Sequence, residues 1–347
     1  MLRVRIIYPL LGLVWCLILL NEFVDEDLQR RKFSGEKLAN GKLQGEQLLK
    51  AEHMLFRISV EYDTSPYGSF PYESRPAQAT LDTRSRELRR KIIKVVDNGK
   101  RGHLPSALSL VEVLRVLFDE VLHYEPKNPH WEGRDRFILS KGHACIVLYV
   151  FLAEKGFFPE EELWKFCKID GILGGHPEHT VPGVEWSTGS LGHGLPVGVG
   201  KALLGKQEGA SYRIFVVLGD GESNEGSIWE AAMCASKHAL DNLVVLVDYN
   251  KQVTYGTTYE VQDLEPFADK WRSFGFAVRE VDGHDLKELS SIFRELPFER
   301  GKPNVILCHT IKGKGIKMLE RNFPWHHKGR ISEEEVKELL KGVEEYP

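Results

Sequence analysis

Residues 213–252 read RIFVVLGDGESNEGSIWEAAMCASKHALDNLVVLVDYNKQ, and the order of events in this stretch decides the fold. Ile214 to Leu218 is a short, continuous apolar run rich in β-branched residues, which predicts a strand buried on both faces. Gly219-Asp220-Gly221 breaks the run where a strand should turn. From about Gly226, apolar residues recur at Ile228, Ala231, Ala232, Ala235 and Ala239, the stripe of an amphipathic helix. A second apolar run, Leu243 to Val247, ends in Asp248-Tyr249-Asn250. The unit is strand–helix–strand, with Asp220 and Asn250 just past the C-terminal ends of its two strands. Ligands of open α/β sheets collect at those ends. A hard cation favours oxygen donors, and Mg²⁺ usually takes few from protein and the rest from phosphate and water.

Five further motifs accompany GDGESNEG (219–226), in the order SKGHA (140–144), GGHPE (174–178), STGSLGHG (187–194), then VDGHD (281–285) and HTIKGKG (309–315). Gly219-Asp220-Gly221, a helix and an Asn about thirty residues on resemble the thiamine-diphosphate motif. All six motifs, in this order, resemble transketolases, and they cover roughly residues 80–345. The chain is similar to the N-terminal, diphosphate-binding half of that family.

Bulk properties are those of a soluble globular protein. The chain has 347 residues, 42% hydrophobic and 28% charged, enough for a sizeable core and one large or two ordinary domains. A net charge of −4 gives no electrostatic case for nucleic acid. The five cysteines are scattered without a C-x-x-C pair, which suits reduced thiols in a cytosolic enzyme better than disulfides or a zinc site.

The chain divides into three parts: 1–24, 25–78 and 79–347. In the first, Arg3 and Arg5 precede an uncharged stretch from Ile6 to Leu20, shorter than the ~20 residues that span a bilayer. Two readings stand: a membrane-associated anchor, or an extension from an upstream start codon with Met54 as an alternative start. Residues 25–78 are polar, first with leucines that suit a helix, then an irregular linker rich in Pro, Tyr and Ser. From 79 onward, strands alternate with helices, which predicts an α/β domain with a doubly wound parallel sheet and helices on both faces.

Along this domain, residues 82–98 read as a helix with Gly99 as its C-cap. Ser106 reads as the cap of the next helix, whose stripe includes Leu110, Val113, Leu114 and Leu117. Helices are expected over Ile146–Leu152, Leu195–Leu204 and Pro266–Phe274, strands over Ala277–Val281 and Asn304–Cys308. The closing helix, Ser332–Val343, reads as a solvated surface helix.

The resemblance assigns the chemistry. It implies that Asp220, Asn250 and the main-chain carbonyl of Gln252 hold Mg²⁺, which bridges the two phosphates of thiamine diphosphate. It places His143 against the diphosphate, Gly221 and Asn250 among the cofactor-binding residues, and Gly189 and Leu191 against the rings. It implies that His103, His176 and His326 contact the sugar. His327 stands beside His326 where Gly is more usual, which leaves the pair open. Glu225 is implied to face a partner's pyrimidine-binding domain. His193 departs from the family, which usually carries Gln there.

Transketolase chemistry would move a two-carbon ketol unit from a ketose phosphate to an aldose phosphate. In the family, activation of the cofactor needs a Glu on the pyrimidine-binding domain, which lies beyond Pro347. The resemblance therefore implies a separate partner, the C-terminal transketolase chain, in an α₂β₂ assembly. Two alternatives are ketol transfer on a sulfo- or branched sugar, and a non-catalytic cofactor-binding remnant.

Overall fold

The computed structural model describes residues 80–347 except 255, 327 and 329. Residues 80–258 and 264–347 belong to one compact unit. The expected segments over 1–24 and 25–78 lie outside the described residues, as does His327. Among the described residues no helix is long and apolar enough to cross a membrane.

The core is a five-stranded, wholly parallel sheet: β1 (Arg136–Leu139), β2 (Ile214–Gly219), β3 (Leu243–Tyr249), β4 (Ala277–Asp282) and β5 (Asn304–His309), in the order β1-β2-β3-β5-β4. The central strands are buried at nearly every position. Successive side chains serve opposite faces, as the period of two requires. Phe137, Leu139, Phe215, Val217, Val244, Leu246 and Ile306 enter one apolar cluster. Ile138, Ile214, Val216, Leu218, Val245, Val247 and Leu307 enter a second.

The first cluster is completed by α1 (Thr83–Gly99), α2 (Leu104–Leu108), α3 (Val111–Val116), α4 (Cys145–Glu154), α8 (Leu286–Arg294) and α9 (Glu333–Glu345). The second is completed by α5 (Gly194–Glu208), α6 (Gly226–Lys237) and α7 (Phe267–Ser273). Helices therefore cover both faces, as expected from the alternation of elements. Many of the buried polar residues gather at the C-terminal end of the sheet, while Asp135 and Asn304 lie at the opposite end and Arg89 and Glu112 pair between α1 and α3.

Four local expectations need correction. Gly99 is the last helical residue of α1, and the left-handed C-cap is Lys100, with φ 51°. Gly99 is required for another reason: a Cβ there would lie 2.5 Å from Phe166 Cδ1 and 3.0 Å from the Phe166 carbonyl. Ser106 does not cap a helix; it lies inside the short α2, fully buried, and its amide donates to the His103 carbonyl at 3.1 Å. Ala239 falls outside α6 in the left-handed region (φ 51°), and Leu240 is the buried residue instead. The closing helix α9 is not wholly solvated: Leu339 and Val343 are buried in the first cluster with α1. Its four-residue apolar spacing is diluted by a majority of charged residues, which is why composition alone hid it.

The Gly99–Lys100 pair gives a stability test. Gly99→Ala should cost about 1–3 kcal/mol through overpacking on Phe166. Lys100→Gly should stabilise by about 1 kcal/mol by relieving the left-handed Lys. Opposite signs in thermal denaturation are expected; loss in both would return the cap to Gly99.

Candidate cofactor site

The C-terminal ends of four adjacent strands supply the buried polar residues. β1 leads into Ser140 and Lys141, β2 into Asp220, β3 carries Asp248 and leads into Asn250, and β5 leads into Thr310 and Lys312. Their loops line a cavity of about 230 Å³ that includes Ser106, Lys141, His143, Leu191, Asp220, Asn250, Gln252, Lys312 and His326. The residues expected around the diphosphate thus meet in one place, together with several to which the sequence alone assigns no role.

Asp220 is 2% exposed. Its Oδ1 accepts from the Gly221 amide at 2.7 Å, and its Oδ2 accepts from the Lys251 amide. Burial pushes its carboxyl up to about 6, against the opposing pull of the Lys312 ammonium. Asn250 Oδ1 accepts from the Gln252 amide at 3.1 Å, and Gln252 in turn presents its carbonyl to Lys312 Nζ at 2.8 Å. Carboxylate, amide oxygen and carbonyl each keep a free lone pair. Burial lowers Lys312 to about 8, partly offset by Asp220.

Further polar groups face the same cavity. Lys141 and Lys312 bring two ammonium groups into the cavity wall. Ser106 Oγ is buried there with no hydrogen-bond partner among the described residues. A donor set of one carboxylate, one amide and one carbonyl suits Mg²⁺ only when an external ligand such as diphosphate completes the octahedron. Among the described residues, no cluster of three His, Cys, Asp or Glu side chains is arranged to hold a metal without such help.

Three histidines form a triangle at the site. The ring centroids of His103 and His143 are 5.4 Å apart, those of His103 and His326 6.0 Å, and those of His143 and His326 6.2 Å. His143 keeps some surface open to the cavity, but burial and the nearby Lys141 hold its pKa well below the usual value. It is therefore neutral near pH 7, a donor or acceptor rather than a charge.

The other expected residues, His176, Gly189, Leu191 and Glu225, are more exposed, and of them Leu191 alone lines the cavity. His176 is exposed and does not line the cavity; its ring sits beside Gly189, whose added Cβ would lie 3.3 Å from His176 Cδ2. Gly189 is exposed, as is Leu191 at 37%. Glu225 is exposed at the start of α6 without a capping bond. His193, at the N-cap of α5, is exposed as well.

Glu222 has a part that its place in the sequence does not reveal. It is buried, accepting from the Gly192 amide at 2.9 Å, the Gly219 amide at 3.0 Å and the Ser140 hydroxyl. It thereby ties the loop at Gly192 to the ends of β1 and β2. Lys141 lies inside SKGHA and Lys312 inside HTIKGKG, each within three residues of a strand end, which is the available signal; Ser106 lies outside the quoted motifs.

A larger cavity, about 610 Å³, lies at Tyr124, Phe157 and Trp186. Its Arg134 and Lys201 both pair with Glu185, at 2.6 and 2.7 Å, so neither charge is left over for a ligand. The smaller cavity has the chemistry.

Comparison with known proteins agrees with this geometry. The family model described as transketolase, thiamine diphosphate binding domain, matches residues 83–344. The chain is 41% identical to one subunit of the apulose-4-phosphate transketolase of Phocaeicola vulgatus, over 77% of this chain and 94% of that one. It is 38% identical to the 6-deoxy-6-sulfo-D-fructose transketolase subunit SqwG of a Clostridium species, over 77% and 97%. Among solved structures, transketolase from Leishmania mexicana superposes with a TM-score of 0.68 at 31% identity, covering 74% of this chain and 40% of that one. The chain thus spans about two fifths of that solved transketolase and nearly the full length of the two relatives that are themselves single subunits. It belongs to the transketolase family and carries that family's thiamine diphosphate binding domain.

Proposed function

We propose that this chain, through its domain over 79–347, is the N-terminal subunit of a two-chain transketolase. It would hold Mg²⁺ and thiamine diphosphate and transfer a two-carbon ketol unit between sugar phosphates. The observation that carries the reading is the meeting of Asp220, Asn250 and the Gln252 carbonyl with two buried lysines at four strand ends.

Each of the chain's own residues has a physical task in this reading. Asp220, Asn250 and the Gln252 carbonyl bind the cation, whose charge offsets the cost of burying Asp220. Lys312, Ser106 and neutral His143 bind the diphosphate oxygens, with Lys141 behind them as the counter-charge of Asp248. Gly221 lets the backbone stand close to them. When bound, thiamine diphosphate supplies the electron sink that lets a carbon–carbon bond beside a carbonyl break. His103 and His326 donate hydrogen bonds to sugar oxygens and can hold a proton there. His176, beside Gly189, joins them from the ring side. Of the two adjacent histidines, His326 takes the substrate role because it completes the triangle with His103 and His143.

The ring side is the incomplete side. Gly189, Leu191 and Glu225 are exposed, while the diphosphate end is enclosed. A partner chain carrying the pyrimidine-binding domain would cover that surface in an α₂β₂ assembly, with Glu225 facing it. The relatives matched nearly end to end are named as subunits, which supports a separate partner. The described cysteines are free, which suits a reducing, cytosolic setting.

The test is reconstitution with the candidate partner, Mg²⁺ and thiamine diphosphate, assayed for ketol transfer. The donor panel should include branched and sulfonated sugars, given the names of the two relatives above. Activity is expected from the pair and none from either chain alone. No turnover across the panel would overturn the reading.

Two substitutions address the cavity itself. Asp220→Ala should cut affinity for thiamine diphosphate by more than the roughly 10–100-fold lost when a residue that only orients a metal ligand is removed. Lys312→Met should cost about 1.5–3 kcal/mol, one charge-assisted hydrogen bond, for thiamine diphosphate. Calorimetry with thiamine, which lacks phosphate, should show no change for Lys312→Met; an equal loss for both ligands would remove Lys312 from the phosphate site.

A further inference from the structure

Behind the cavity lies a second buried charged cluster that the proposed chemistry does not use. Arg89, Glu112 and His284 are 0%, 3% and 2% exposed. Arg89 grips Glu112 with two parallel hydrogen bonds, 2.7 and 2.9 Å. His284 Nδ1 lies 2.9 Å from the other side of the same carboxylate, at Oε2. Burial pushes the Glu112 carboxyl up, but Arg89 and His284 more than offset this and hold it well below the usual range.

An ionised carboxylate can only accept, so the proton between Glu112 and His284 belongs on Nδ1. His284 Nε2 accepts from the Ile311 amide at 2.8 Å, which requires that nitrogen to be bare. Both bonds together select one neutral tautomer. On the other side, Arg89 Nε donates to the Lys314 carbonyl at 2.8 Å. The Gly313 amide is held as well, by the Pro105 carbonyl at 3.0 Å. Gly315, with φ +95°, has no Cβ, and one placed there would stand 2.4 Å from Arg89 Nε. The glycine is what lets the guanidinium reach the backbone.

One carboxylate therefore holds the chain on both sides of Lys312: Ile311 through His284 and Lys314 through Arg89. Lys312 Nζ reaches the Gln252 carbonyl at 2.8 Å. We propose that His284, oriented by Glu112, is a positioning residue that fixes the backbone delivering Lys312 into the cofactor cavity. This inference rests on the reading of that cavity as the thiamine-diphosphate site.

Two isosteres separate positioning from mere packing. His284→Asn keeps a donor toward Glu112 but has no group that reaches the Ile311 amide. His284→Gln places an acceptor where Nε2 stood and gives up the bond to Glu112. The measurement is the dissociation constant for thiamine diphosphate with Mg²⁺, by calorimetry on the full chain with its partner, alongside the melting temperature without cofactor. His284→Asn should bind at least about tenfold more weakly, and His284→Gln within about threefold of wild type. The KM for thiamine diphosphate should rise in His284→Asn while kcat at saturation is kept.

Equal weakening in both variants, or binding by His284→Asn within about twofold of wild type, would overturn the inference. Absence of binding by wild type would overturn the cofactor reading and this inference with it. Should His284→Asn fail to fold, ¹⁵N NMR of the wild-type histidines decides: a proton on Nδ1 of His284 supports the inference, and one on Nε2 overturns it.

Discussion

Asp248 is the knot of the structure. At the end of β3, its buried carboxylate accepts from the Ser109 hydroxyl at 2.7 Å and the Asn250 amide at 3.1 Å, and it binds the Lys141 ammonium and the Thr310 hydroxyl. Those four partners come from the α2–α3 turn, the β3 loop, the β1 loop and the β5 loop. A carboxylate without partners could not stay charged at this depth. With them it joins the ends of three strands and turns the Asn250 amide so that its NH₂ faces Asp248 and its oxygen faces the other way. Removing Lys141 would leave the Asp248 carboxylate buried without its counter-charge.

Asp220, one strand away, is treated in the opposite manner. Burial raises Asp248 too, but Lys141 and three hydrogen bonds bring it below the usual carboxylate range. Asp220 has two backbone amides and a more distant Lys312, and burial wins. The same residue type thus serves two purposes at adjacent strand ends. Asp248 is satisfied by protein alone, and Asp220 is left with capacity for a cation. This difference in partners accompanies the meeting of Asp220, Asn250 and the Gln252 carbonyl in one cavity, the geometry on which the ligand-site reading stands.

Much of this is legible in the sequence. Continuous β-branched runs can be buried only in a parallel sheet covered on both faces, so Ile214–Leu218 and Leu243–Val247 decide the architecture. Asp220 and Asn250 follow from strand ends, which is a matter of chain order. The tertiary partners are harder. Lys141 and Lys312 lie far apart in the chain and acquire meaning only because β1 and β5 flank β2 and β3. Glu222, one residue after Gly221, has no role in the sequence reading and gains one only where the Gly192 amide meets its carboxylate. The roles of Gly99 and Lys100 are exchanged because sequence pattern shows where a helix stops, not which residue packs against Phe166.

The proposed function requires a divalent cation between Asp220, Asn250 and the phosphates of the cofactor. Mn²⁺ in place of Mg²⁺ makes that arrangement visible by electron–nuclear double resonance on the reconstituted pair of chains with thiamine diphosphate. The account predicts coupling of the manganese to two phosphorus nuclei, lost in Asp220→Ala. Manganese that stays hydrated, with no phosphorus coupling in the wild-type protein, would contradict it.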